Sequence, residues 1–422
     1  MSVKFNFSDE LKNTNGELLI ILATLPIYFF FPLITLLIWI FYHCYFKEYK
    51  ILTILLIALT FGLVASTTKS ISVEMTDIER YKTAYLKLVD VSSFNDLLYQ
   101  TVIVSGEINI LFIAINFLFT RLFPTYFPIM PFFWVTVTYV FCLLTYYQYA
   151  KVIALSKGEY AFYFVVVALL GIPFYQTTET IKQCSAIAIM GYALVLNSQD
   201  KKSGLIWLIV SLLVHLSGLF LLPVYFLMRK KWVINYFIPM FLIALAISFV
   251  NVNDVFTTLL GDYLGVGFKE RAELYADYNW NLSRRFYLIL VLYGIMVLFL
   301  LFSQSKNVIK NIDLKVFNRL LNMNVLAFLF LLINRSNVHN FVRYTLTYFP
   351  FYILITLQIL NVDLVKKQKI VLWLFFVAFF AYSNLLLLQL RTTAEIGYAN
   401  SYMNNSIVDL ITSNWIDYLT FK

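Results

Sequence analysis

Polar and apolar residues fall along this chain in long blocks, not in the short stripes of a soluble domain. Met1–Gly16 is polar and mixed in charge, unlike the basic start and short apolar core of a cleaved leader. Leu18–Phe46 is apolar and longer than one upright crossing needs, so it predicts a helix that is tilted or begins along the interface. After the basic turn Lys47–Lys50, Ile51–Ala65 returns. Ser66–Ser105 is polar, but Tyr81, Tyr85, Leu88 and Val89 recur at helical spacing and predict an amphipathic helix within it. Glu107–Phe123 is apolar but short and ends in Arg121 and Pro124, which predicts a re-entrant or interfacial segment. Phe127–Ala150, Tyr160–Tyr175 and Lys182–Leu196 read as crossings. Leu205–Met228 is bracketed by Lys201–Lys202 and Arg229–Lys231, so it reads as a second re-entrant segment that turns near His215 and Gly218. Trp232–Val250 crosses, and a long polar loop covers Asn251–Arg285. Phe286–Phe302, Leu320–Ile333, Phe341–Leu360 and Ile370–Leu390 complete the set, before a polar, amphipathic tail, Arg391–Lys422.

The pattern predicts one all-α polytopic membrane domain over residues 1–422, with two long outer loops at 66–105 and 251–285. It has about ten transmembrane helices plus the two partial segments, 107–123 and 205–228. Composition supports the membrane reading: 61% of residues are hydrophobic and 13% charged, more apolar surface than a soluble domain of this size needs. Charge then orients the chain. The short loops 47–50, 151–159, 200–203, 229–231, 304–319 and 362–369 hold 16 of the 32 Lys and Arg and five of the 23 acids, a net of +11 against −2 elsewhere. That asymmetry puts these loops in the cytoplasm, and both long loops and both chain ends on the outer side. Dispersed in short loops, the basic residues do not suggest nucleic acid. Cys44, Cys142 and Cys184 lie in or beside apolar segments with no metal or disulfide spacing.

The candidate chemistry collects on the outer side. Glu179 and Lys182 stand at the mouth of one apolar helix and His215 inside another segment, and ionisable groups at membrane depth are costly enough to suggest function. Asp77, Arg80, Glu107, Arg121, Arg284, Arg285, Arg335, His339 and Arg343 share that side, with Glu74 and Arg271 in the loops. Each has a plain structural alternative. Arg284–Arg285 and Lys182 would snorkel to headgroups. Asp77, Glu79 and Arg80 would form surface salt bridges. Glu107 would complement a helix dipole, and His215 would bond a backbone carbonyl. There is no nucleotide loop, HExxH or Gly-rich phosphate cradle, and the three histidines are far apart, so no metal and no cofactor are expected. Chemistry here would use Arg or Lys against an anionic leaving group and a carboxylate or His as proton acceptor.

The series DIERYKTAY (Asp77–Tyr85), GEINILFIAINFLF (Gly106–Phe119), TETIKQCSAIAIMGYAL (Thr178–Leu194), VHLSGLFLLPVYFL (Val214–Leu227) and NFVRYTLTYFPFYIL (Asn340–Leu354) resembles the EpsG-like branch of the Wzy-type polysaccharide polymerases, over roughly Ile51 to Leu360. The resemblance carries Arg80, Glu107, Lys182, His215 and Arg343 over as site residues. Lys182 stands where the family usually has arginine, and the glycine that usually precedes the aspartate is absent. The family implies a bacterial inner-membrane enzyme facing the periplasm. It would join oligosaccharide units carried on undecaprenyl pyrophosphate into a surface polysaccharide, with a chain-length regulator among its expected partners. In that reading Glu107, Asp77 and His215 are the catalytic candidates. Arg80, Lys182, Arg284, Arg335 and Arg343 are the substrate or pyrophosphate ligands. Two alternatives stay open: a glycosyltransferase that adds one sugar from a polyprenyl-phosphate donor, and a flippase or transporter of the same lipid-linked oligosaccharide. A membrane O-acyltransferase ranks below both, since the first histidine, His43, lies beside a cytoplasmic turn.

Overall fold

The computed structural model describes residues 7–46, 49–67, 77–99, 109–153, 155–250, 284–306, 308–309, 313–393 and 411–420. Among them secondary structure is helical apart from one isolated antiparallel bridge, Ile309 to Val362. The expected loop at 251–285 lies outside the described residues but for its last two.

Proline and aromatic breaks cut several of the expected spans in two. Leu18–Phe46 is not one tilted helix but α1 (Phe7–Phe30) and α2 (Pro32–Tyr45), parted at Phe31. Pro32 opens α2, where its missing N–H leaves no intrahelical bond unmade. The next helix, α3 (Lys50–Ser66), is continuous. The amphipathic helix expected in the first outer loop is α4 (Asp77–Val89), which buries Ile78 and Tyr85; a short α5 (Phe94–Leu98) follows. The partial segment after it is α6 (Ile110–Leu122), and α7 (Ile129–Ala150) is long and unbroken. Tyr160–Tyr175 divides into α8 (Lys157–Val166), a π-turn (Val167–Gly171) and α9 (Phe174–Glu179), with Pro173 at the break. α10 (Ile181–Ser198) starts at once, on the far side of Thr180.

The segment expected to turn back is α11 (Ser203–Val214), α12 (Ser217–Phe220) and α13 (Leu222–Leu227), interrupted at His215. Then come α14 (Trp232–Asn235) and α15 (Phe237–Ile247), α16 (Arg284–Ser305) and α17 (Leu314–Ile333). The expected span Phe341–Leu360 is again two helices, α18 (Val338–Thr347) and α19 (Phe349–Leu360), with Pro350 in the first turn of the second. α20 (Lys366–Thr393) and α21 (Trp415–Thr420) end the chain. By length and composition, three described helices can cross a membrane: Ile129–Ala150, Phe286–Ser305 and Leu314–Ser336. Shorter apolar helices, several of them the halves of divided spans, accompany them.

The inner bundle packs α3 on α7, and α7 and α11 on α10. Small residues let these backbones close up, as is usual where hydrocarbon gives no hydrophobic drive between helices. A Cβ on Gly62 would clash with Thr136 Oγ1 and meet the Phe132 carbonyl at 2.6 Å. A Cβ on Gly204 would meet the Ala193 carbonyl at 2.9 Å, so that glycine sets how closely α11 returns along α10.

The six short basic loops are linked, pair by pair, at one end of this bundle. Lys50 lies over the Tyr160 ring and Lys157 over the Tyr45 ring, joining 47–50 to 151–159. Glu159 pairs with Lys369 at 2.8 Å, and Asp363 N–H donates to the Val308 carbonyl at 2.8 Å. Asp200 gathers Lys315 and Arg319, each at 2.7 Å, and Arg229 at 3.6 Å. The hydrogen bonds of Lys315, then of Arg319, hold the Asp200 carboxyl down at about 2. The bracket around α11–α13 thus closes on itself: Asp200, before the segment, pairs with Arg229, after it. Arg229 also donates to the Asn197 carbonyl at 3.2 Å, and the Asn197 amide donates to the Tyr225 carbonyl at 2.7 Å. The segment leaves and rejoins the bundle at the same end.

Candidate functional site

α10 and α17 run between this basic end and the opposite one. Within the 18-residue α10, Lys182 lies about 24 Å from Ser198, most of the ~30 Å thickness of bilayer hydrocarbon. At that opposite end the structure brings together side chains from α4, α6, α9, α10 and α18.

α4 is the platform. Its acids Asp77 and Glu79 lie in the first turn and Lys87 in the last, matching the helix dipole. Tyr85 O–H donates to the Phe123 carbonyl at 2.9 Å and fixes α4 against the end of α6. Arg121, expected among the outer cations, has a structural task. Its guanidinium donates to the carbonyls of Leu88 (2.7 Å), Val89 (3.1 Å) and Val91 (2.8 Å), capping the C-terminus of α4. So braced, α4 presents Asp77 and Tyr81 to the bundle.

Arg343 reaches Asp77 at 3.2 Å across 266 residues of sequence, with both side chains partly exposed, at 28% and 20%. It does not open an apolar helix, as the sequence predicts; it sits in the second turn of α18, which begins at Val338. Its own carbonyl accepts from Thr347 Oγ1 at 2.9 Å. Arg80 stands more loosely, 3.6 Å from Asp77 and mostly exposed. Lys182 Nζ lies over both the Tyr81 and the Phe112 rings, 5.5 Å from each centroid, a cation between two aromatic faces of the same cluster. Burial, then the Asp77 carboxylate, pushes the Tyr81 hydroxyl well above its ordinary range, while Arg343 pulls it back. Cys184 and Glu179 push in the same direction as Asp77, so Glu179 too stands near this hydroxyl.

The break at Thr180 makes this convergence possible. α9 ends at Glu179, only 1% exposed, and Thr180 takes φ −105°, ψ 52° before α10 begins. Gln176 Nε2 donates to Thr180 Oγ1 at 2.7 Å, and Gln183 Nε2 donates to Thr347 Oγ1 at 3.3 Å, tying α10 to α18. The polar run Gln176–Thr180 is entirely buried. A helix interrupted inside a membrane bundle aims the positive end of its second half at whatever anion occupies the break.

The remaining candidates have other partners. His215 caps α11; its Nδ1 accepts from the Ser217 backbone N–H at 3.1 Å and lies 2.9 Å from Ser217 Oγ. A backbone N–H can only donate, so the neutral ring carries its proton on Nε2, and Nδ1 is taken out of proton abstraction. The next residue, Leu216, donates N–H to Asn109 Oδ1 at 3.3 Å, tying this turn to the start of α6. Arg335 covers the Phe249 ring at 4.7 Å, facing α15, whereas Arg343 faces α4. Arg284 is the first residue of α16, but its side chain is outside the described residues, as are the side chain of His339 and all of Glu107, Glu74 and Arg271. No metal-binding group of His, Cys, Asp or Glu exists among the described residues.

Sequence reasoning marked Glu179 as a costly charge at a helix mouth but gave it no catalytic or binding role, and did not foresee Tyr81 and Phe112 as walls. The readable signal was the run QTTETIKQ, polar throughout except for one isoleucine, between two apolar helices. No curated protein and no solved structure matches the chain. The EpsG family does, over residues 71–400, a stretch that includes Asp77, Tyr81, Glu179, Lys182 and Arg343 alike. This chain belongs to the EpsG family, whose members are Wzy-like polysaccharide polymerases.

Proposed function

We propose that the protein joins oligosaccharide repeat units carried on undecaprenyl pyrophosphate, at the periplasmic face of a bacterial inner membrane. The observation that carries this reading is the separation of charge. Six basic loops meet at one end of the bundle, and the Asp77–Arg343–Lys182 cluster lies at the other. By the positive-inside rule the basic end is cytoplasmic, which turns the cluster outward. Cations at that surface suit a lipid pyrophosphate. The acceptor hydroxyl attacks the anomeric carbon of the donor chain, the bond from that carbon to the phosphate oxygen breaks, and the lipid pyrophosphate leaves with the electron pair. Arg343 and Lys182 stabilise that developing charge, Lys182 as a point charge without the fork an arginine would offer. A carboxylate takes the acceptor proton. Asp77, engaged by two guanidiniums, positions Arg343, while Glu179 at the helix break serves as the acceptor.

In proteoliposomes given lipid-linked repeat units as the sole substrate, the protein is expected to produce a ladder of chain lengths. A single added sugar would favour a polyprenyl-phosphate-dependent transferase, and movement of the substrate across the bilayer without bond formation a flippase.

Orientation has its own test. Single cysteines placed at residue 83 in α4 and in loop 251–283 are expected to react with a membrane-impermeant thiol reagent in intact spheroplasts. Labelling only after permeabilisation would reverse the topology. We also propose that α11–α13 enters the membrane and turns back. Reporter fusions after Lys202 and after Lys231 are then expected to give the same cytoplasmic signal; opposite signals would make the segment a full crossing.

A further inference from the structure

On the outward side of the bundle, α13, α15 and α17 leave a groove of about 280 Å³. Leu326, Leu329 and Ile333 line it from one stripe of α17, Ile243 and Ala244 from α15, with Val224 of α13 beneath. Its volume falls just under the ~300–1,000 Å³ usual for drug-sized sites, so it holds a stretch of a chain rather than a whole ligand. The two helices run in the same direction and meet beyond the groove: Ser336 Oγ donates to the Val250 carbonyl at 2.6 Å, and the Arg335 guanidinium lies over Phe249. Among the described residues, the apolar slot therefore ends at the Arg335 guanidinium, two residues past Ile333. A second feature leads from the slot to the site. Phe330, also in the lining, packs edge-on against Tyr344 at 5.0 Å, the residue next to Arg343.

We propose that this groove holds the isoprenoid tail of a lipid-linked substrate, with its phosphate or diphosphate on Arg335; the proposal rests on the polymerase reading above. Hydrocarbon tails are as apolar as the groove, so moving one from bilayer to groove gains little free energy. Selection must come from the cation at the mouth, and the groove acts by position, holding the headgroup at the end of the bundle where Arg343 stands. A zwitterionic or anionic phospholipid has the same kind of tail but lacks a diphosphate, which suits a guanidinium fork best.

The test uses the full chain in nanodiscs of phosphatidylcholine, with a polyprenyl diphosphate carrying a photoreactive diazirine in its tail. Illumination is expected to label peptides that contain Ile243 and Leu329. Excess undecaprenyl phosphate should compete, and the same excess of phosphatidylglycerol should not. Arg335→Ala should lower labelling about tenfold, roughly what one charge-assisted hydrogen bond is worth. Ala244→Trp should block it by filling the slot. Ile243→Phe, at a position 60% exposed to the bilayer, fills the same slot where folding is least at risk. Equal competition by phosphatidylglycerol, or labelling unchanged in Arg335→Ala and Ile243→Phe, would overturn the proposal. Chain growth is followed in the same nanodiscs. Polymer that depends on Arg343 but not on the groove variants would sink the groove and leave the polymerase reading standing. Labelling as expected with no polymer from the unaltered protein would sink the polymerase reading alone.

Discussion

Arg343→Ala is expected to stop chain growth, with single lipid-linked units accumulating and the protein still in the membrane at its normal level. Removing a preorganised donor from developing negative charge typically costs about 10²–10³ in rate. The stability cost is small by comparison. The Arg343–Asp77 pair is partly exposed, with side chains at 28% and 20%, and such pairs contribute about 0–1 kcal/mol. A large rate loss at unchanged protein level is therefore the signature of a site residue. Arg343→Lys keeps the charge but not the planar fork, and should be partly active.

Asp77 gives the pair an internal control. If it positions Arg343, Asp77→Asn should lose less than Arg343→Ala, and the double variant should be no worse than Arg343→Ala alone, as residues acting through one contact are not additive. A snorkelling anchor predicts the reverse: lysine substitutes fully, and alanine lowers protein level and activity together. Wild-type chain length from Arg343→Ala at normal expression would remove Arg343 from the site.

The sequence made the helical class, the grouping of the basic loops and most partners of the cluster legible, but not their pairing. Block hydropathy located the apolar stretches because a bilayer imposes one length on every crossing. It could not see that Phe31, Pro173 and Tyr348 divide such stretches, since a break flanked by apolar residues leaves hydropathy unchanged; only Pro32, Pro173 and Pro350 marked them. Charge counting found the six basic loops because it needs no geometry. The Asp77–Arg343 contact spans 266 residues and has no local signature. Arg121 looked like its neighbours in the outer set, and only the three carbonyls it caps show that it holds α4. Glu179 was visible as a costly buried charge, yet its place beside Tyr81 depends on the break at Thr180, which no periodicity announces.

Glu179→Gln is expected to lower chain growth by about 10²–10⁴, the usual range for loss of a positioned proton acceptor. Glu179 is 1% exposed, at the end of α9, and stands near the same tyrosine hydroxyl that Asp77 and Arg343 influence. Holding a carboxylate there costs several kcal/mol in desolvation, where a neutral amide of the same shape would cost far less. Glutamine keeps the length and shape of the side chain, so the variant should reach the membrane at the same level. Glu179→Asp keeps the carboxylate but withdraws it by one methylene, and should recover part of the rate. A structural carboxylate predicts otherwise: glutamine preserves its hydrogen bonds and leaves activity intact. The pH profile separates the two further. A proton acceptor gives the unaltered protein a rate that falls on the acid side as the carboxylate is protonated, and Glu179→Gln should remove that limb. Full polymer from Glu179→Gln, with the acid limb unchanged, would exclude Glu179 and return the role to Asp77 or Glu107.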